Sequence, residues 1–200
     1  MSKKPIIAVL GSGSWATALV KMLCENEEEL NWWVRSQDTI DHIARHGNNP
    51  KYIQSIQFQV EKLKLTTEMK VVIESSDIII VAIPSMFLDD AFNDVFGEDL
   101  SFTPFSNKQV FSAIKGMISK YNSIPARYLH KRFEIPYKKL GIICGPCHAE
   151  EVARERLSYL TVACPDTTQA EIFAPFLRTK YIKVSTLIYL VLKNGAKISA

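Results

Sequence analysis

The chain has 200 residues, of which 47% are hydrophobic and 22% are charged, and its net charge is +3. That length suits one α/β domain, the composition is ordinary for a globular protein, and so small a net charge does not mark a nucleic-acid-binding protein. No apolar run reaches the roughly eighteen residues that predict a membrane span, and the first apolar segment is too short for a signal peptide. We therefore expect a cytoplasmic protein that binds no nucleic acid and has no membrane span.

A strand, a glycine-rich turn and a helix open the chain. Residues 6–10 are apolar and mostly β-branched, as in a buried strand, and a run of good helix formers covers residues 17–24. Between them lies G-x-G-x-x-A, the dinucleotide-binding fingerprint, formed by Gly11, Ser12, Gly13, Ser14, Trp15 and Ala16. The first glycine allows a tight turn, the second lets the backbone approach a pyrophosphate, and the alanine lets the helix pack closely. The helix start would then receive phosphates; a turn that merely needs glycines is the alternative.

A second strand, predicted at residues 30–34, is followed by Arg35. In dinucleotide-binding folds this position usually holds an acidic residue that binds the ribose hydroxyls of the adenosine. A guanidinium can instead stack on adenine or bind a 2′-phosphate. Either NAD or NADP is therefore open as the cofactor, and a surface arginine without a ligand is the alternative.

Strands and helices alternate along the rest of the chain. Helices are predicted at 38–45 and 169–177, a further helix begins at 86–88, another ends with 128–133, and residues 145–153 form a turn into a helix. Strands are predicted at 77–83, 109–114, 140–144, 158–164 and 181–184. This alternation predicts an α/β fold with a Rossmann-type, doubly wound and mostly parallel sheet. We assign residues 1–184 to one dinucleotide-binding domain.

Lys115 follows the strand predicted at residues 109–114. Ligands of open α/β sheets bind at the carboxyl ends of the strands, so this lysine is expected at the mouth of the ligand crevice. A compact cation there can face a phosphate or a substrate. A lysine on the rim with no function is the alternative.

The sequence predicts no metal site. Cys144 and Cys147 form a C-x-x-C pair, but no second pair follows, and no thioredoxin-like pattern supports a redox function. His42 and His46 are four residues apart without a third ligand nearby, which favours solvated side chains.

Five segments in order resemble the soluble, NAD(P)-dependent glycerol-3-phosphate dehydrogenases. They are residues 11–19 (GSGSWATAL), 33–35 (WVR), 49–52 (NPKY), 114–116 (IKG) and 145–151 (GPCHAEE). The resemblance extends over about residues 5–185. It implies reduction of dihydroxyacetone phosphate to sn-glycerol 3-phosphate, the backbone of phospholipids, with NAD or NADP as cofactor. The resemblance leaves open whether the protein forms a homodimer.

The resemblance also implies roles for individual residues. Residues 11–16 would hold the cofactor, with Arg35 near its adenosine and Ala149 also in contact with it. Lys115 would contact cofactor and substrate, and Gly145 and Cys147 would contact the substrate. A serine or threonine is frequent at the position of Cys147 in the family, so its hydrogen bond to the substrate is in question.

The resemblance weakens towards residue 200. Leu192, Lys193 and Asn194 resemble a family element that carries the catalytic lysine, with Lys193 as general acid or base and Asn194 at the substrate. The spacing before Lys193 is shorter than in the family, and the sequence after it differs. We therefore interpret residues 185–200 as a remnant of the connection to an all-helical C-terminal domain that is absent here, and we expect poor activity. The alternatives are a non-catalytic NAD(P)-binding module and a Rossmann dehydrogenase of the 6-phosphogluconate or hydroxyacid type.

Overall fold

A computed structural model describes residues 4–27, 29–97, 104–192 and 195–198. The strands in these ranges are β1 Ile7–Leu10, β2 Leu30–Trp33, β3 Leu63–Thr66, β4 Ile78–Val81, β5 Gln109–Ser112, β6 Leu140–Cys144, β7 Ser158–Cys164, β8 Ile182–Leu192 and β9 Gly195–Ile198. The α-helices are α1 Ser14–Asn26, α2 Gln37–His46, α3 Met69–Glu74, α4 Ser85–Phe96, α5 Pro125–Phe133, α6 Ala149–Ala153 and α7 Thr167–Leu177. None of these helices is long and apolar enough to cross a membrane.

The strands form one sheet in the order β3-β2-β1-β4-β5-β6-β7-β8-β9. The first six strands of that order are parallel to one another, β7 runs antiparallel to β6, β8 is parallel to β7, and β9 is antiparallel to β8. The order 3-2-1-4-5-6 is that of the Rossmann fold. The predicted α/β class and the mostly parallel, doubly wound sheet are confirmed.

Each face of the sheet packs on its own hydrophobic cluster because successive side chains of a strand point to opposite faces. Ile7 and Val9 of β1 belong to a cluster that includes side chains of α1, α2, α6 and α7. Ala8 and Leu10 belong to a second cluster with side chains of α3, α4 and α5. Burial on both faces explains why β1 and β4 are apolar throughout rather than alternating.

The structure differs from the prediction at the C-terminal end. The strand predicted at 181–184 continues to Leu192, and its pairing with β7 extends to Ile188. Residues 186–192 (TLIYLVL) are apolar and β-branched, and the hydroxyl of the buried Tyr189 donates a 2.8 Å hydrogen bond to the Leu140 carbonyl. The domain boundary predicted after residue 184 thus falls inside a strand. Lys193 and Asn194 lie outside the described residues.

Candidate functional site

The predicted ligand-binding residues meet at one edge of the sheet. Gly11 follows β1, Arg35 follows β2, Lys115 follows β5, and Gly145 follows β6. Because these strands are parallel, their carboxyl ends lie at the same edge. This is where open α/β sheets bind ligands.

The turn after β1 requires glycine at its first position. Gly11 has a φ of 123°, and a Cβ there would lie 2.7 Å from the carbonyl oxygen of Ala82, just after β4. The backbone N–H of Gly11 donates to the Trp33 carbonyl at 3.2 Å, and the Trp32 indole donates to the Gly11 carbonyl at 2.7 Å. The turn is therefore held by hydrogen bonds to β2 and lies close against the end of β4.

The second glycine leaves space at the start of α1. Gly13 is the N-cap, makes no side-chain cap hydrogen bond, and has no other atom within 4 Å of the place where a Cβ would lie. The first bond inside the helix runs from the Thr17 N–H to the Gly13 carbonyl at 2.9 Å. The N–H groups of residues 14–16 are those that a helix leaves without an intrahelical partner. Open space beside free N–H groups fits the phosphates of a dinucleotide.

Cations lie beside this helix start. A cavity of about 390 Å³ is lined by Ser14, Lys51 and Arg154, with Glu150 also on its wall. The positive end of the helix dipole and two cationic side chains thus share one concavity. The arrangement favours an anionic group at Ser14.

Asn49 supports the glycine turn, a role that the sequence analysis did not assign. Its side chain is fully buried, and its amide donates to the Ser12 carbonyl and to the Thr17 hydroxyl, both at 3.0 Å. Its carbonyl oxygen accepts the backbone N–H groups of Lys51 and Tyr52. In the sequence, only the Asn-Pro pair marks this asparagine. Its hydrogen-bond partners could not be predicted, because they lie more than 30 positions away and follow no local pattern.

Lys115 joins the glycine turn to the turn after β6. Its ammonium donates to the Cys147 carbonyl at 3.1 Å and lies 5.6 Å from the ring centroid of Trp15. The lysine side chain is exposed, and an ammonium has three N–H donors. The remaining donors are free to bind an oxygen of a ligand at the sheet edge.

The turn after β6 supplies backbone rather than side chains. Gly145 has a φ of 144°, and a Cβ there would lie 2.5 Å from the Tyr159 carbonyl oxygen. The Cys147 side chain is 1% exposed, so this residue presents its carbonyl oxygen to Lys115 and keeps its thiol inside. Ala149 is also buried and belongs to the cluster that includes Ala16 of α1.

The C-x-x-C pair has the environment of structural thiols. Burial raises the pKa of both Cys144 and Cys147. Both cysteines are free thiols, and a raised pKa keeps them protonated at neutral pH. The environment does not favour a redox function.

Arg35 is exposed, and its nearest carboxylate is that of Asp94, with a nitrogen–oxygen distance of 3.8 Å. The long and exposed contact leaves the guanidinium able to turn towards a ligand. The rings of His42 and His46 lie 4.5 Å apart, and no group of three metal-ligating side chains occurs among the described residues.

Comparisons with known proteins agree with this geometry. A model of the family described as NAD-dependent glycerol-3-phosphate dehydrogenase N-terminus matches residues 6–170. The glycerol-3-phosphate dehydrogenase [NAD(P)+] of Limosilactobacillus reuteri is 27% identical over 182 residues, which cover 90% of this chain and 53% of the relative. That of Macrococcus caseolyticus is 28% identical over 186 residues, with the same two coverages.

Solved structures show the same fold. Plasmodium falciparum glycerol-3-phosphate dehydrogenase superposes with a TM-score of 0.77 at 24% identity, over 92% of this chain and 52% of that one. The chain spans about half the length of the curated relatives it matches. The family match over most of the chain shows that this protein belongs to the NAD-dependent glycerol-3-phosphate dehydrogenase family, whose N-terminal part it matches.

Proposed function

We propose that this chain is the dinucleotide-binding part of a dehydrogenase that reduces dihydroxyacetone phosphate to sn-glycerol 3-phosphate with NADH or NADPH, for use in phospholipid synthesis. One observation carries the proposal. The Lys115 ammonium lies beside Trp15 of the glycine turn and keeps donors free at the carboxyl edge of the sheet. A phosphate-binding backbone and a cation are thereby placed at the same edge, where a dinucleotide and a substrate could bind side by side.

The chain's own groups have two tasks, which are to bind the cofactor and to stabilise charge on the substrate. The N–H groups at the start of α1 bind the pyrophosphate, and the open space at Gly13 allows the close approach. The bound nicotinamide supplies the hydride, which is the chemistry of the cofactor rather than of the protein.

Lys115 stabilises negative charge on the oxygen of the substrate carbonyl, and this oxygen then takes up a proton, for which the family resemblance implies Lys193 as the general acid. Its ammonium is held by the Cys147 carbonyl, so the cation is oriented before the substrate arrives. Groups oriented in advance at a developing charge lower the barrier by about 3 kcal/mol each. Lys115 also fits contact with the phosphate of the substrate, which is a compact anion.

The test combines binding and turnover. Titration of NADH should show saturable binding, and addition of dihydroxyacetone phosphate should then cause only slow oxidation of NADH, because we expect poor activity from this chain. Lys115→Met should lower the rate of oxidation about 100-fold while NADH affinity stays within about threefold. Lys138→Met, which removes an exposed lysine on another surface, is the matched control and should leave the rate unchanged.

The remaining outcomes identify the alternatives. NADH binding with no oxidation would favour a non-catalytic binding module. Oxidation with other carbonyl compounds but not with dihydroxyacetone phosphate would favour another dehydrogenase of the same architecture. Absence of NADH and NADPH binding would refute the proposal.

A further inference from the structure

A second and larger cavity lies outside the edge described above. It has a volume of about 610 Å³ and is formed by α4, by α5 and by the loop that precedes α5. Four cationic side chains line it, namely those of Lys120, Arg127, Lys131 and Arg132. It shares no lining residue with the cavity beside Ser14.

A buried carboxylate fixes two of these cations in the cavity wall. Asp89 of α4 accepts hydrogen bonds from the Lys120 ammonium at 2.6 Å and from the Arg132 guanidinium at 3.2 Å. The hydroxyls of Tyr121 and Tyr128 donate to the same carboxylate. Burial by itself raises the pKa of Asp89, but these donors outweigh it and hold the pKa below its usual value. Asp89 is therefore an anion at neutral pH, and its oxygens are already occupied.

The other two cations have no counter-charge among the described residues. Arg127 is half-buried and Lys131 is exposed, and neither forms an ion pair with any carboxylate in the described part of the chain. In addition, the Nε–H of Arg132 is buried without a hydrogen-bond partner there. Among the described residues, only one carboxylate is thus paired with any of these four cations, which surround a concave, partly desolvated space, where like charges repel more strongly than in bulk water.

We propose that this cavity binds a small soluble anion that carries phosphate groups. Arginine matches the oxygens of a phosphate bidentately, and lysine adds a point charge, so Arg127 and Lys131 are suited to this class of ligand. Asp89 orients Lys120 and Arg132 as a rigid wall, which lowers the entropy lost on binding. The half-exposed ring of Tyr121 flanks the cavity and offers a face to the organic part of a phosphate ester.

The site lies close in sequence to the proposed active-site lysine. Lys120 is five residues after Lys115 and lies in a loop that is closed by paired backbone hydrogen bonds between Ile118 and Ser123. The cavity is nevertheless built from side chains of α4, α5 and the loop before α5, whereas the glycine turn binds through backbone N–H groups. The two sites can therefore be removed separately.

Pyrophosphate is the probe, and Gly13→Val is the background that removes binding at the glycine turn. In this background, calorimetry should show saturable binding of pyrophosphate. Adding Arg127→Ala and Lys131→Ala should weaken that binding at least tenfold, about 1.4 kcal/mol. Arg45→Ala with Lys138→Ala, which removes the same two charges from exposed positions outside the cavity, should change it less than about twofold. Acetate at equal ionic strength should bind at least about tenfold more weakly than pyrophosphate.

Thermal unfolding gives a second readout. Pyrophosphate should raise the midpoint of the Gly13→Val protein and should have no effect once Arg127 and Lys131 are also replaced. Equal loss of affinity in both pairs of variants would show that only net charge matters. That result, or the absence of saturable binding in the Gly13→Val protein, would overturn the proposal.

Discussion

The glycine turn after β1 and the cavity between α4 and α5 are two anion-binding arrangements made from different groups. The turn offers backbone N–H groups and the dipole of α1, and its N-cap has no side chain. The cavity offers four cationic side chains, two of which are oriented by the buried Asp89. The first depends on the absence of Cβ atoms, and the second depends on a network of ion pairs.

The two regions should therefore respond to different perturbations. A backbone site is damaged by added atoms and is insensitive to pH, because peptide groups do not titrate. A side-chain site is damaged by removal of a charge, and it loses its stabilising ion pairs when its carboxylate is protonated. The predictions below test this difference.

The largest effect is expected at Gly11. Gly11→Ala places a Cβ 2.7 Å from the Ala82 carbonyl in a backbone conformation that disfavours side chains, so the free energy of unfolding should fall by about 2–5 kcal/mol. Urea unfolding of the variant and of the unmodified protein measures this difference in the free energy of unfolding. Gly13→Ala is the matched control, because its Cβ would meet open space, and it should cost less than about 1 kcal/mol. Equal losses in the two variants would contradict the account of the turn.

Asp89→Asn should have the next largest effect. The substitution leaves Arg132 and Lys120 without their carboxylate and should lower the free energy of unfolding by about 2–4 kcal/mol at pH 7. NADH affinity should stay unchanged, because Asp89 does not line the dinucleotide site. Glu61→Gln, an exchange of the same kind at an exposed position, should have little effect.

The same variant gives a pH test with a defined sign. The folded state lowers the pKa of Asp89, so its stabilising effect is fully present above the ordinary carboxyl pKa of about 4. It is lost as the pH falls through the lower pKa of the folded state. The stability difference between wild type and Asp89→Asn should therefore be constant near neutral pH and shrink below about pH 4. A difference that grows on acidification would refute the assignment.

The difference between the two regions also explains what could be predicted from the sequence. The glycine turn is formed by residues that are adjacent in the sequence, so their spacing and composition were enough to locate it. Asp89 contacts Lys120 and Arg132, which are 31 and 43 positions away, and no local pattern connects them. The contact between Lys115 and Cys147 spans 32 positions and was likewise not predictable as a contact.

The fold shows the same limit. The bounds of β6 and β7 agree with the predicted strands because each is a short β-rich run between turn residues. The helix α3 has only six residues, too few for a helical period to stand out, and was not predicted. The extension of β8 was missed because residues 186–192 were interpreted through the family's connecting segment rather than through their own β propensity.

A smaller effect, on binding alone, is expected at Gly13. Its φ of −75° suits any residue, and the surrounding space is open, so Gly13→Val should fold normally. The valine side chain would occupy the position that a phosphate needs, and the affinity for NADH should fall by about 10- to 100-fold, or about 1.4–2.7 kcal/mol. The check is an NADH titration beside an unfolding curve, with Ser36→Val as the control outside the turn. A folded Gly13→Val protein with unchanged affinity would remove the glycine turn from the binding site.

The smallest effect concerns the choice between NADH and NADPH. Arg35 is two thirds exposed and is held only by a 3.8 Å contact with Asp94, so its guanidinium can turn to a 2′-phosphate at little cost. We expect NADPH to bind within about tenfold of NADH, a difference of about 1.4 kcal/mol. Arg35→Asp should weaken NADPH binding and leave NADH binding nearly unchanged, whereas Asp94→Asn should favour NADPH slightly by freeing the guanidinium. Parallel titrations with both cofactors measure the two shifts. Two results would show that Arg35 does not face the adenosine ribose and is a surface arginine without a ligand. One is that the unmodified protein fails to bind NADPH, and the other is that Arg35→Asp lowers the affinities for NADH and NADPH equally.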